Sequence, residues 1–202
     1  MPLSASFRRS RRVFGGCAIV AIIVIAAGWR SHSQRAHHPT PMHSLSAAAE
    51  PILDNTFPGF PGGTQWINSG PLSVESLRGK VVLIDFWTFG CYNCLNALPH
   101  VKELEAKYRD RGLVVVGVHT PEFPYEKDAE NVRAAVKRLG VIYPVVMDND
   151  YHIWNAFRNQ YWPAAYYVDR KGQIRSQYFG EGNYDGQERI VQQLLAEAAS
   201  SR

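Results

Sequence analysis

Residues 81–87, VVLIDFW, are apolar at six of seven positions and too short for a buried helix, so they read as a strand covered on both faces. Such a strand needs a layer of helices over each face of its sheet, which selects an α/β fold. The surrounding sequence alternates accordingly. Thr64–Asn68 reads as a short strand, and Ser73 can cap a short helix that Gly79 ends. Cys91 to Arg111 reads as a helix with Leu95, Leu98, Val101 and Leu104 on one face, interrupted at Pro99 and closed by Gly112. Leu113–His119 is a second buried strand, and Asp128–Leu139 an amphipathic helix that Gly140 ends. Val145–Met147 and Ala164–Val168 read as strands with a short helix, His152–Asn159, between them. The turn Asp169-Arg170-Lys171-Gly172 leads to the strand Ile174–Phe179, and Asp185–Ala198 is the closing helix. In this order a helix begins directly after the central strand, where open α/β sheets carry their sites. Cys91 stands at that point.

The 202-residue chain has a net charge of +4, but the excess is local. Residues 1–50 carry six arginines against Glu50 alone, leaving 16 basic and 17 acidic residues in 51–202. The folded part is therefore not built to bind nucleic acid by charge. Four of those arginines precede Val13–Trp29, 17 residues without a charge. As a helix this run spans about 25 Å at ~1.5 Å per residue, within the range of a membrane span. Four arginines before it and two shortly after it, Arg30 and Arg35, place the N-terminus inside and the rest outside the cytoplasmic membrane. An uncleaved signal anchor is favoured. The small residues Ala47-Ala48-Ala49 lie some distance past the run, and cleavage there would release the protein to the periplasm. Residues 1–29 are thus a basic stub and anchor, 30–58 a flexible linker rich in Ser, His, Pro and Ala, and 59–202 the folded domain.

Cys17 lies inside the apolar run, which leaves Cys91 and Cys94 as the pair outside it, spaced C-x-x-C. Zinc needs about four ligands, so two thiols point away from a structural metal site and towards a redox dithiol. At a helix start, free N–H groups and the macrodipole stabilise a thiolate at Cys91, with Cys94 one turn further in as the resolving thiol. A purely structural disulfide is the weaker reading, since so short a loop gains little entropy from closure. Asp85, the lone acid in the central strand, should have a raised pKa suited to a base near neutrality.

The run Asp85-Phe86-Trp87-Thr88-Phe89-Gly90-Cys91-Tyr92-Asn93-Cys94, with Pro99 after it and Trp162-Pro163 before a later strand, resembles the thioredoxin-like superfamily. Within it, the segments GGTQWINSGPLSVESLRGKVVLIDFWTFGCYNC, GVHTPEF, YWPAAYYVD and FGEGNYD resemble the membrane-anchored TlpA-type thiol–disulfide oxidoreductases, above all the soluble domain that ends the DipZ proteins. The resemblance covers roughly residues 60–198. It implies a thioredoxin-like fold with a central mixed sheet, a redox-active Cys91–Cys94 disulfide, and Asp85 taking the proton of the inner cysteine. It further implies a cis Pro163, with Trp162 against the dithiol offering its backbone to substrate. Trp87, Phe89 and Trp162 would make an apolar rim around Cys91. Glu122 and His119 are candidates for tuning the dithiol.

No motif for an organic cofactor or a metal is expected. The partners implied are protein disulfides, apocytochrome c cysteines among them, and a separate membrane electron donor of the CcdA or DsbD type, since the multispan domain of the DipZ proteins is not in this sequence. That missing domain is one departure from the pattern, and the cysteine motif holds the other. The dipeptide between the cysteines is Tyr92-Asn93, not the Gly-Pro of thioredoxin, and it helps set the direction of electron flow. Thr88, three residues before Cys91, also fits a thiol peroxidase, although position 84 is Ile where those enzymes carry proline. From another class comes a Cu(I)-handling module that would use the two thiols and His119.

Overall fold

The computed structural model describes residues 55–197. The elements in chain order are β1 (Trp66–Ile67), α1 (Val74–Leu77), β2 (Val81–Trp87), α2 (Tyr92–Tyr108), β3 (Leu113–His119), α3 (Ala129–Arg138), β4 (Val145–Met147), α4 (His152–Ala156), β5 (Ala164–Val168), β6 (Ile174–Phe179) and α5 (Tyr184–Glu197). The sheet is mixed and six-stranded, in the order β1-β4-β3-β2-β5-β6. Strands β2, β3 and β4 run parallel, while β5 pairs antiparallel with both β2 and β6.

All seven residues of β2 are buried, as a strand with helices over both faces requires. Its alternation splits the core in two. Val81, Leu83 and Trp87 pack with Leu98, Val101 and Leu104 of α2, Val132 and Val136 of α3, and Val191 and Leu194 of α5. Val82, Ile84 and Phe86 pack on the other side with Leu77, Ile153, Trp154 and Phe157.

Several expected boundaries move for local reasons. β1 ends at Ile67 because Asn68 takes φ 66° and donates its side-chain N–H to the carbonyls of Val141 and Tyr143. α2 runs through Pro99 rather than breaking there, since losing one backbone donor does not end a helix held by its buried face. It gives way at Arg109–Arg111 to a tighter turn that Gly112 closes at φ 102°. α4 ends before Asn159, because Arg158 sits at φ 51°.

The linker expected through residue 58 ends earlier. Phe57 N–H donates to Gly172, Ile174 N–H donates to Asn55, and Thr56 bridges to Gln173. The Phe57 ring is buried between Phe60 and Phe157. The apolar segment Val13–Trp29 and residues 30–54 of the linker lie outside the described residues. Among the described residues, no helix is long and apolar enough to cross a membrane.

Phe57→Ala is expected to cost about 3 kcal/mol or more in urea unfolding, the range for emptying a buried aromatic site. A loss under ~1 kcal/mol would place residues 55–58 in the linker after all.

Candidate active site

β2 carries the chain to the N-terminus of α2, and the helix starts on a cysteine. Cys91 is the N-cap with extended backbone, and its sulfur accepts the backbone N–H of Cys94 at 3.2 Å. This is the place of a capping oxygen, and the end of a 17-residue helix adds a positive dipole. When reduced, the same donor and dipole favour the thiolate of Cys91. The two cysteines are joined as a disulfide with Cα atoms 5.2 Å apart. Cys91 lines an open cleft of about 370 Å³ with Gly90, Tyr92, Asn93, Glu122, Phe123 and Trp162. Cys94 is turned into the core at 2% exposure.

The Trp162–Pro163 peptide is cis. Trp162 packs on Trp154 with ring centroids 4.1 Å apart and planes tilted by 36°, and its indole N–H donates to the Thr120 carbonyl at 3.1 Å, which holds it at the cleft. Phe89 is half-buried and stacks on the His119 ring. Trp87 departs from expectation. It lies in the core instead of on the rim, because it follows Leu83 and Asp85 on the face that β2 turns towards α2.

Asp85 shares that face. Its strand neighbours are Gly117 on β3 and Ala165 on β5, so no bulky side chain flanks it within the sheet. Burial pushes its pKa up to about 7. The phenols of Tyr143 and Tyr167 are raised first by their own burial and then by the Asp85 charge, which puts both in its vicinity.

His119 ends β3 wholly buried, with Nε2 3.2 Å from the Thr88 hydroxyl. Burial pushes its pKa down to about 4, so the ring is neutral at physiological pH. Glu122 is exposed at the edge of the cleft. Glu126, which nothing in the sequence singles out, is the acid that the fold buries here. It sits in a short 3₁₀ turn, Pro124–Lys127, and accepts backbone N–H groups of Gly90, Glu122 and Phe123 at 2.7–2.9 Å. Among the described residues, no group of three or more His, Cys, Asp or Glu is placed to hold a metal ion.

The AhpC/TSA family model matches residues 54–177. The chain belongs to the AhpC/TSA family. The chain is similar to "Thiol-disulfide oxidoreductase YkuV" of Bacillus subtilis, 34% identical over 146 residues, 72% of this chain and 97% of that protein. "Protein DipZ" of Mycobacterium tuberculosis is 48% identical over 146 residues, 71% of this chain but 21% of that protein. This AhpC/TSA chain thus matches about a fifth of the length of its DipZ relative. The solution structure of a thioredoxin-like protein in the oxidised form superimposes with a TM-score of 0.66 at 34% identity, covering 72% of this chain and 98% of that one. The fold is thioredoxin-like.

The buried Asp85 gives a signed pH effect. Folding raises its pKa from an ordinary value near 3.8 to about 7, so the native state holds this proton more tightly. The stability it contributes is complete below pH ~4 and is lost as pH rises through about 7. With the disulfide intact, Asp85→Asn should be more stable than the parent in urea at about pH 8.5. The advantage is up to ~4 kcal/mol at ~1.36 kcal/mol per pH unit, and it should vanish near pH 4. An advantage independent of pH would contradict a raised Asp85.

Proposed function

We propose that the chain is a thiol–disulfide oxidoreductase acting on protein disulfides in the reducing direction, outside the cytoplasmic membrane. The observation that carries this reading is the asymmetry of the dithiol. Cys91 caps α2 and lines the cleft at 9% exposure, while Cys94, at 2%, lies deeper on the same face of the sheet as an acid of pKa about 7. The names of the B. subtilis relative and of the oxidised thioredoxin-like structure support the reaction class.

In the forward reaction the Cys91 thiolate attacks one sulfur of a substrate disulfide, and the other substrate sulfur leaves as a thiolate. Cys94 then gives its proton to Asp85 and attacks the Cys91 sulfur. The second substrate thiolate departs, and the protein is left as the Cys91–Cys94 disulfide. Two electrons have passed to the substrate, and a membrane donor of the CcdA or DsbD type restores them. The cis Trp162–Pro163 backbone beside the cleft is where an extended substrate strand would lie. Extracytoplasmic disulfides, including those of apocytochrome c, are the proposed substrates, in keeping with the arginine-flanked apolar segment near the N-terminus.

The geometry favours this reading over a thiol peroxidase. The Thr88 hydroxyl, which a peroxidase would turn on its reactive thiol, is buried against His119.

Trapping tests the order of events. Cys94→Ser should accumulate a mixed disulfide with a protein substrate and Cys91→Ser none. Asp85→Asn should slow release of that intermediate by about 100-fold, the scale of a lost general base, while attack by Cys91 changes less than ~3-fold. In the parent, release should quicken with pH and level off above about 7. Unchanged release in Asp85→Asn would remove Asp85 from the reaction, and trapping through Cys94 would reverse the roles of the two thiols.

A further inference from the structure

Glu126 is fully buried and has no cationic partner among the described residues. A carboxyl in that position is tolerable only if donors converge on it, and here backbone donors do. Oε1 accepts the N–H of Gly90 at 2.8 Å, and Oε2 accepts those of Glu122 at 2.7 Å and Phe123 at 2.9 Å. One side chain therefore ties two loops together. The first, Thr88–Gly90, leads into Cys91. The second, Pro121–Tyr125, follows β3 and carries Phe123 and Tyr125, which are 43% and 52% exposed.

The two loops are also in direct contact. A Cβ on Gly90 would lie 2.4 Å from Glu126 Oε1 and 2.7 Å from the Tyr125 hydroxyl, so a side chain there would have to push these groups aside. The Tyr125 ring packs on Phe89 at 5.8 Å and lies parallel to Phe123 at 5.7 Å and 3°. Phe123 then borders the cleft that holds Cys91. Two exposed, mutually ordered aromatic rings beside a reactive sulfur offer large apolar area at low entropic cost, the usual makings of a binding hot spot.

We propose that Glu126 is a positioning residue that clamps the aromatic loop Pro121–Tyr125 to the redox loop Thr88–Gly90, so that an extended segment of a disulfide-bearing protein held by Phe123 and Tyr125 is presented to Cys91. The proposal rests on the thiol-exchange reading above and names a docking element for it apart from the Trp162–Pro163 strand. A small disulfide has no extended segment to lay across the two rings and so depends on this element much less.

The experiment compares the full chain with Glu126→Gln, Phe123→Ala and the double variant, on insulin and on 2-hydroxyethyl disulfide. Glutamine keeps the volume but turns one oxygen into a donor that faces a backbone N–H, which opens one side of the clamp. The ratio of kcat/KM for insulin to that for the small disulfide should fall about 10-fold in Glu126→Gln, mainly through KM, and by a similar factor in Phe123→Ala. The double variant should be no worse than the worse single one, since the clamp acts through the ring it holds. An unchanged ratio in either single variant overturns the proposal, and so does additivity in the double. Should Glu126→Gln fail to fold, the surface variant Phe123→Ala still decides: a retained ratio overturns the docking element and a fallen one upholds it. A parent chain that reduces neither substrate would instead refute the oxidoreductase reading.

Discussion

Strand β2 is sealed from water on both faces, and the chemistry of the dithiol depends on that seal. A strand fixed between β3 and β5 can aim its C-terminal end in one direction only, so α2 starts in a defined place with Cys91 at its cap. The same burial acts on the one acid in the strand. Asp85 is held where ionising is costly, and its pKa is pushed up into the range where a base can take a thiol proton at neutral pH. A looser or edge strand would supply neither the aim nor the shifted acid.

The site handles its buried titratable groups in three different ways. Asp85 is left to burial, which raises its pKa to about 7, as its proposed role of proton acceptor requires. His119 is driven neutral by burial and becomes a packing and hydrogen-bonding piece between Thr88, Phe89 and Trp87. Glu126 is compensated by backbone donors and becomes a fastener. Function thus follows from what surrounds each group more than from residue type.

Much of this was legible in the chain. The bounds of β2, β3, β4 and β5 follow from continuous apolar runs closed by turn residues, because strands buried on both faces leave no alternation to misread, and β6 follows from the turn Asp169–Gly172 before it. Cys91 and Cys94 stand out because a thiol pair at a strand-to-helix junction has few other uses. Glu126 was not legible. In EFPYEKD it looks like one more solvated loop acid, while Glu122, nearer the strand, draws attention first. Only the folded loops bring the amides of Gly90, Glu122 and Phe123 to one point. Phe57 is hidden for a related reason, since two aromatics among Pro and Gly give no periodicity and part of the pocket, Phe157, lies a hundred positions away. Trp87 misled for the opposite reason: proximity in sequence to the cysteines suggested the rim, and strand alternation decided otherwise.

The central claim is that this dithiol donates electrons, and its reduction potential tests that most directly. The full chain, equilibrated against glutathione and dithiothreitol buffers with Cys91→Ser as the blank, should give a potential near or below the ~−270 mV of thioredoxin. A value towards ~−120 mV would make the protein an oxidant of folding chains and contradict the account.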